Sequence, residues 1–296
     1  MIFHRSRHGV LIGLVTIVAA CASRSNGPSV SPAPPAAGAT QAARQTHENL
    51  NAVLWMQTAA EYRASTMQAY RLAQLQLDTA LGDPAWTAAT EQTGDVSSLP
   101  PAVILDLDET VIDNSAFQAR QVQDASAYSE EAWNRWVEER KSGAIPGAIE
   151  FLAYAKSRGV TPFYVTNRDH KVEDATRDVL AKLGVPVTAE RDAVLTRHES
   201  GWDGSDKSSR RQSVAANYRV LLVVGDNFED FVSGTRASVT DRAALMQKYE
   251  AFWGRKWIVL PNPTYGSWDG ALTFGMTQPS DDQTLAAKYH ALKTER

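Results

Sequence analysis

Apolar residues recur along this chain in two alternating spacings. From Asn49 to Leu81, positions Leu50, Val53, Leu54, Ala60, Ala64, Met67, Tyr70, Leu77 and Leu81 follow the three-to-four spacing of a helix, and Gly82-Asp83-Pro84 ends it. A short unbroken apolar run, Ala102 to Leu105, follows Pro100-Pro101 and stops at Asp106. Such a run predicts a strand buried on both faces of a parallel sheet. Helical spacing returns over Ala127–Ser142 and Gly147–Ser157, then a strand is predicted over Thr161–Val165, a helix from about Val172 to Leu183 and a short strand near Ala193–Leu195. Lys207–Tyr218 reads as helix, Val220–Val224 as a strand ending in Gly225-Asp226, Arg242–Phe252 as helix and Trp257–Leu260 as a last strand stopped by Pro261. Strands alternating with helices predict an α/β fold, a mainly parallel sheet with helices on both faces.

The first twenty residues break this pattern. His4, Arg5, Arg7 and His8 precede the apolar run Val10–Val18, and small residues lead to Cys21, the only cysteine. That order describes a secretory leader, too short and wrongly flanked for a membrane span. Val18-Ala19-Ala20-Cys21 resembles the lipobox of bacterial lipoproteins, in which the cysteine becomes the lipidated first residue. Residues 21–45, rich in Ser, Pro, Ala and Gly, cannot bury enough apolar surface to order themselves and read as a tether. One large α/β domain with elaborations, or a core with a small cap (elements at about 46–82 and 113–145), is expected over 46–296. Loss of the leader leaves 28 Lys and Arg against 34 acidic residues, a net charge of about −6 where the whole chain has −4. Such a balance does not suggest a nucleic-acid partner.

The ends of the predicted strands carry the chemistry. In an open α/β sheet ligands bind outside the carboxyl ends of the strands. The first strand delivers Asp106-Leu107-Asp108-Glu109-Thr110 there, and two carboxylates two positions apart suit phosphoryl transfer, one as nucleophile and one as proton donor. Thr166-Asn167-Arg168 ends the next strand, offering a hydroxyl and backbone N–H groups to a phosphate oxygen. Lys207 opens a helix, where a cation and the dipole favour an anion. Asp226 and Asp230 follow the Val220–Val224 strand with a spacing that can face a hard cation. Each has a plainer explanation: a solvated acidic turn, an N-cap, a surface lysine, a helix-start charge pair. Their order along an alternating chain makes them support one another.

Together they resemble the haloacid dehalogenase (HAD) superfamily of phosphohydrolases, with its Asp-x-Asp-x-Thr, Ser/Thr, Lys and terminal acidic motifs. The segments Ile104–Phe117 and Val223–Phe231 are similar to the two signatures of bacterial class C acid phosphatases. Ile112 and Phe228 stand where those signatures usually carry Leu, and Phe117 where they carry Tyr. The resemblance extends to Asn51–Gln57, Trp133–Trp136, Ile145–Gly147 and Pro261–Trp268, so it spans nearly all of the chain after the tether.

The resemblance implies a HAD-like Rossmannoid sheet with a small helical cap, and a Mg²⁺-dependent acid phosphatase working through an aspartyl phosphate. It assigns Asp106 as nucleophile and Asp108 as acid and base. Asp106, the Asp108 carbonyl, Asp226 and Asp230 become the metal site, and Thr166, Asn167 and Lys207 bind the phosphate. Trp133 and Tyr265 fall where the family's aromatic residues line the leaving-group pocket, although core packing explains them almost as well. If they stack on a leaving group, nucleoside 5′-monophosphates, nicotinamide mononucleotide and aryl phosphates are the expected substrates. The same resemblance suggests a homodimer, held by lipid at Cys21 in the outer membrane of a Gram-negative bacterium. Two readings stay open at this stage: a phosphotransferase using the same site, and a non-catalytic binding lipoprotein on a phosphatase scaffold.

Overall fold

The computed structural model of the protein describes residues 47–188 and 190–295. The leader, Cys21 and the tether lie outside the described residues. Helix α1 (Leu50–Thr58) and helix α2 (Ala60–Leu81) lead into strand β1 (Pro101–Leu105). A small antiparallel pair follows, β2 (Ile112–Asp113) with β3 (Gly143–Ala144), enclosing helices α3 (Ser115–Asp124) and α4 (Glu130–Glu138). The chain continues through α5 (Ala148–Ser157), β4 (Thr161–Asp169), α6 (Glu173–Lys182), β5 (Val194–Arg197), α7 (Ser208–Ala215) and β6 (Arg219–Gly225). It closes with α8 (Val239–Lys248), β7 (Trp257–Val259), α9 (Ser267–Gly270) and α10 (Asp281–Ala291). No described helix is long and apolar enough to cross a membrane.

The five long strands form one all-parallel sheet in the order β5-β4-β1-β6-β7. The chain works outward from β1 to one edge, then returns to build β6 and β7 on the other side. Strand order therefore reverses between β1 and β6, where a crevice opens at the carboxyl edge. Side chains alternate across β1. Val103 and Leu105 pack under α2, α5 and α6 with Tyr70, Leu77, Phe151 and Leu180. Ala102 and Ile104 face α7 with Val214, Phe231 and Trp257. A register shift between Ala102 and Val103 interrupts the pairing with β6, and beside it the consecutive Leu221 and Leu222 pack in the same layer.

Several elements differ from their sequence expectation. The helix expected over 49–81 is two helices, broken where Ala59 turns extended at φ −78°, ψ 127°. The longer half buries Tyr62, Thr66, Tyr70, Ala73, Leu77 and Ala80 at helical spacing. Of the segments read as cap, 60–81 thus forms a layer of the main core. Helix α3 was missing from the expected pattern because its buried face is largely polar, with Ser115, Gln118 and Gln121 beside Phe117. It joins α4 in a separate cluster in which Phe117, Trp133, Trp136 and Val137 meet Val172 and Ala175. Helix α4 is shorter than expected and starts where the Ser129 hydroxyl accepts from the Ala132 N–H at 3.2 Å. Helix α10 was also missed, although Ser280 and Gln283 form a capping box at its start.

Candidate active site

Strand β1 brings Asp106 to the crevice. Its N–H donates to the Val224 carbonyl at 2.9 Å, so Asp106 and Asp226 leave their strands side by side. The chain then turns sharply, with the Val111 and Ile112 N–H groups both donating to the Leu107 carbonyl at 2.8 Å. Glu109 sits in this turn at φ 57°, a left-handed conformation costly for a side-chain-bearing residue. The turn buries its carboxylate, which accepts from the Asn114 N–H at 2.9 Å and from the Tyr265 hydroxyl. Burial, with Asp108 beside it, pushes the Glu109 pKa up to about 8.

Strand β6 supplies the second carboxylate and, one turn later, a third. A Cβ on Gly225 would overlap Asp230 Oδ2, so only glycine lets the short helical turn Phe228–Asp230 fold back onto the strand end. The Asn227 N–H holds Asp230 Oδ2 at 2.9 Å. Asp106, Asp226 and Asp230 then each offer a carboxylate oxygen, all within 4.8 Å of one another. Asn262 Nδ2 at 2.8 Å and Thr110 Oγ1 at 3.2 Å donate to Asp226. Lys207, buried at the start of α7, donates to Asp106 Oδ1 and to Asp230 Oδ1, the latter at 2.7 Å.

One ammonium against three carboxylates leaves the cluster overcharged. Burial raises the Asp106 pKa, Lys207 opposes it, and Asp230 and Asp108 add to it, with the result at about 7. Burial, Asp230 and Asp106 push Asp226 well above the ordinary carboxylate range. Closely spaced hard oxygen donors with surplus negative charge fit a divalent cation such as Mg²⁺.

The end of β4 forms a facing wall. Arg168 is 1 % exposed; its Nη2 and Nε donate to Asp108 Oδ1 at 2.7 and 3.0 Å. Asn167 Oδ1 accepts from Arg210 Nη2 at 2.6 Å, and Arg210 also donates to the Thr166 carbonyl. Arg211 braces the opposite side, donating to the Asp230 carbonyl at 3.0 Å and to Glu91 at 2.9 Å. The helix that opens with Lys207 thus sends three cations to three parts of the crevice.

These walls enclose a cleft of about 750 Å³. Asp106, Asp108, Asn167, Lys207, Asp226, Asp230, Trp133 and Tyr265, read from distant parts of the sequence, all line it. Thr166 is fully buried and does not; its hydroxyl accepts from the Arg168 N–H at 3.1 Å. Sequence reasoning gave no role to Glu109, Asn114, Arg168, Arg210, Arg211 or Asn262. Glu109, Asn114, Arg168 and Asn262 lie within the segments named above, and Arg210 and Arg211 follow Lys207 on the same helix, but no spacing marks any of them.

The family described as HAD superfamily, subfamily IIIB (acid phosphatase) matches residues 21–268. The chain belongs to that family. The phosphatase is also similar to solved structures of a class C acid phosphatase from Bacillus anthracis. One shares 36 % identity and covers 85 % of this chain and 98 % of its own, with a TM-score of 0.73. A second, with tungstate bound, shares 35 % identity with the same coverage and TM-score. The phosphatase has the fold of that class and is a phosphoric monoester hydrolase.

Proposed function

We propose that the cleft hydrolyses small phosphate monoesters by transient transfer of the phosphoryl group to Asp106, with Mg²⁺ as the resident cation. The observation that carries this reading is the meeting of Asp106, Asp226 and Asp230 at the switch point of the sheet, with Lys207 bridging Asp106 and Asp230. The three carboxylates and the Asp108 backbone carbonyl would hold the cation, which when bound supplies positive charge against the phosphoryl oxygens. Asp106 attacks phosphorus in line with the leaving oxygen, forming an acyl phosphate. Asp108 gives that oxygen a proton, then takes one from the water that releases phosphate. Lys207 and Asn167 face the equatorial oxygens, where negative charge is greatest. The tungstate-bound relative supports an oxyanion as ligand of this fold. An acid at Asp108 favours oxygen esters over carbon–halogen or carbon–phosphorus bonds, whose leaving groups need no such proton.

The leaving group would lie between Trp133 and Tyr265. Both line the cleft, and the Tyr265 hydroxyl is occupied by Glu109, which leaves its ring as the feature offered to a ligand. The substrates that follow are nucleoside 5′-monophosphates, nicotinamide mononucleotide and aryl phosphates. The leader sequence supports lipidation at Cys21 and residence in the outer membrane. Protein lacking residues 1–21 should release phosphate from p-nitrophenyl phosphate with Mg²⁺ and stop with EDTA. Mass spectrometry of acid-quenched enzyme should find the phosphoryl group on the peptide holding Asp106. Undiminished turnover by Asp106→Asn would overturn the reading.

A further inference from the structure

The side chain proposed as proton donor, Asp108, sits in a frame of protein hydrogen-bond donors. Trp136 Nε1 at 3.0 Å, Ser142 Oγ at 2.8 Å and Arg168 Nη2 at 3.4 Å all direct donors at Asn114 Oδ1. Because indole and guanidinium nitrogens can only donate, the Asn114 amide has one possible orientation, with its nitrogen toward Asp108. That nitrogen donates to Asp108 Oδ1 at 2.9 Å. Arg168 adds Nε at 3.0 Å and Nη2 at 2.7 Å to the same oxygen. Three N–H groups therefore saturate Oδ1. Among the described residues, Oδ2 receives only a long contact from Nε at 3.3 Å and keeps lone-pair capacity on a residue that lines the cleft.

Arg168 is itself locked. Its Nη1 donates to Thr176 Oγ1 at 3.1 Å, and its guanidinium carbon lies 5.7 Å from the centroid of the Trp133 ring. The same ring lines the leaving-group end of the cleft. From this geometry we infer that Arg168 is the positioning residue for proton donation, occupying Asp108 Oδ1 so that Oδ2 alone delivers the proton to the leaving oxygen. It also ties that orientation to the aromatic wall. The inference rests on Asp108 as acid in the reaction proposed above. As the bond from Asp106 to phosphorus forms and the bond from phosphorus to the ester oxygen breaks, the Oδ2 proton passes to that oxygen and Asp108 is left ionised. A good leaving group such as p-nitrophenolate departs with little need of this proton, whereas an alkoxide depends on it.

The test is kcat/KM, which reports steps through loss of the leaving group, across aryl and alkyl phosphate monoesters with Mg²⁺ present. Arg168→Gln should lower kcat/KM for alkyl phosphates by about 10²-fold or more and for p-nitrophenyl phosphate by less than about tenfold. Arg168→Lys, which keeps the charge but not the fork, should steepen the dependence in the same direction and serves if the Gln variant does not fold. Asp108→Asn is the reference and should be steepest. Should Asp108→Asn steepen the series while both Arg168 variants lose all esters equally, Arg168 is structural only and the inference fails. An Asp108→Asn series parallel to wild type overturns the acid assignment itself, and the inference with it.

Discussion

Gly225 shows how one missing side chain shapes the carboxylate cluster proposed to hold the cation. Its strand position needs no unusual dihedral; it needs space, because Asp230 occupies the volume of a Cβ. Gly225→Ala should displace Asp230 and weaken Mg²⁺ binding by about 10- to 100-fold, the range typical when support for a ligand is lost. Isothermal titration with Mg²⁺ measures this directly, and an unchanged affinity would mean that Asp230 does not help hold the ion. Trp133 poses the companion question at the other end of the cleft. Its edge-to-face contact with Phe117, at 5.1 Å between ring centroids, explains its burial, yet it also lines the cleft. Trp133→Ala should lower kcat/KM for aryl phosphates about tenfold relative to alkyl phosphates, from lost stacking. An unchanged aryl-to-alkyl ratio would leave Trp133 as core alone.

At the scale of elements, α2 and the end of β4 carry distinct expectations. Leu77 of α2 is fully buried among sheet residues, so Leu77→Ala should cost about 2–5 kcal/mol of global stability in a denaturant melt. Were α2 a detachable lid, the melt would hardly move. At the end of β4, Asp169 caps the short turn His170–Val172, accepting from the Lys171 N–H at 3.0 Å, with His198 Nδ1 3.1 Å from its other oxygen. Burial acts to raise its pKa, but the Lys171 N–H, His198 and the Lys171 ammonium overcome it and hold the group at about 2, below its ordinary 3.8. A depressed carboxylate stabilises the fold above its unfolded pKa and loses that contribution as pH falls through the folded value. Asp169→Asn should therefore melt lower than wild type at pH 6, with the gap closing between pH 3.8 and about 2. A gap independent of pH would show that charge at Asp169 contributes nothing.

Over the whole molecule, the proposed cation site would tie the β1 and β6 ends to the turn at Asp230, so an ion there would bind the folded state alone. At a hundred times its Kd, Mg²⁺ should add about 2.7 kcal/mol of stability, seen as a higher melting temperature that EDTA reverses. Asp226→Asn should abolish the rise.

The chain's alternating apolar spacings sufficed for the fold class, because buried parallel strands and amphipathic helices are local patterns with distinct periods. They also placed Asp106 and Asp226 at strand ends. The polar-faced helix α3, the break at Ala59 and the core position of α2 were not legible, since each depends on what packs opposite. The frame around Asp108 was hidden for the same reason. Arg168 and Asp108 are far apart in sequence, and an arginine after a strand has no spacing that announces a buried partner. Local sequence chose the chemistry at each strand end, whereas tertiary structure decided which oxygens face the cleft, because orientation is set by donors arriving from other elements.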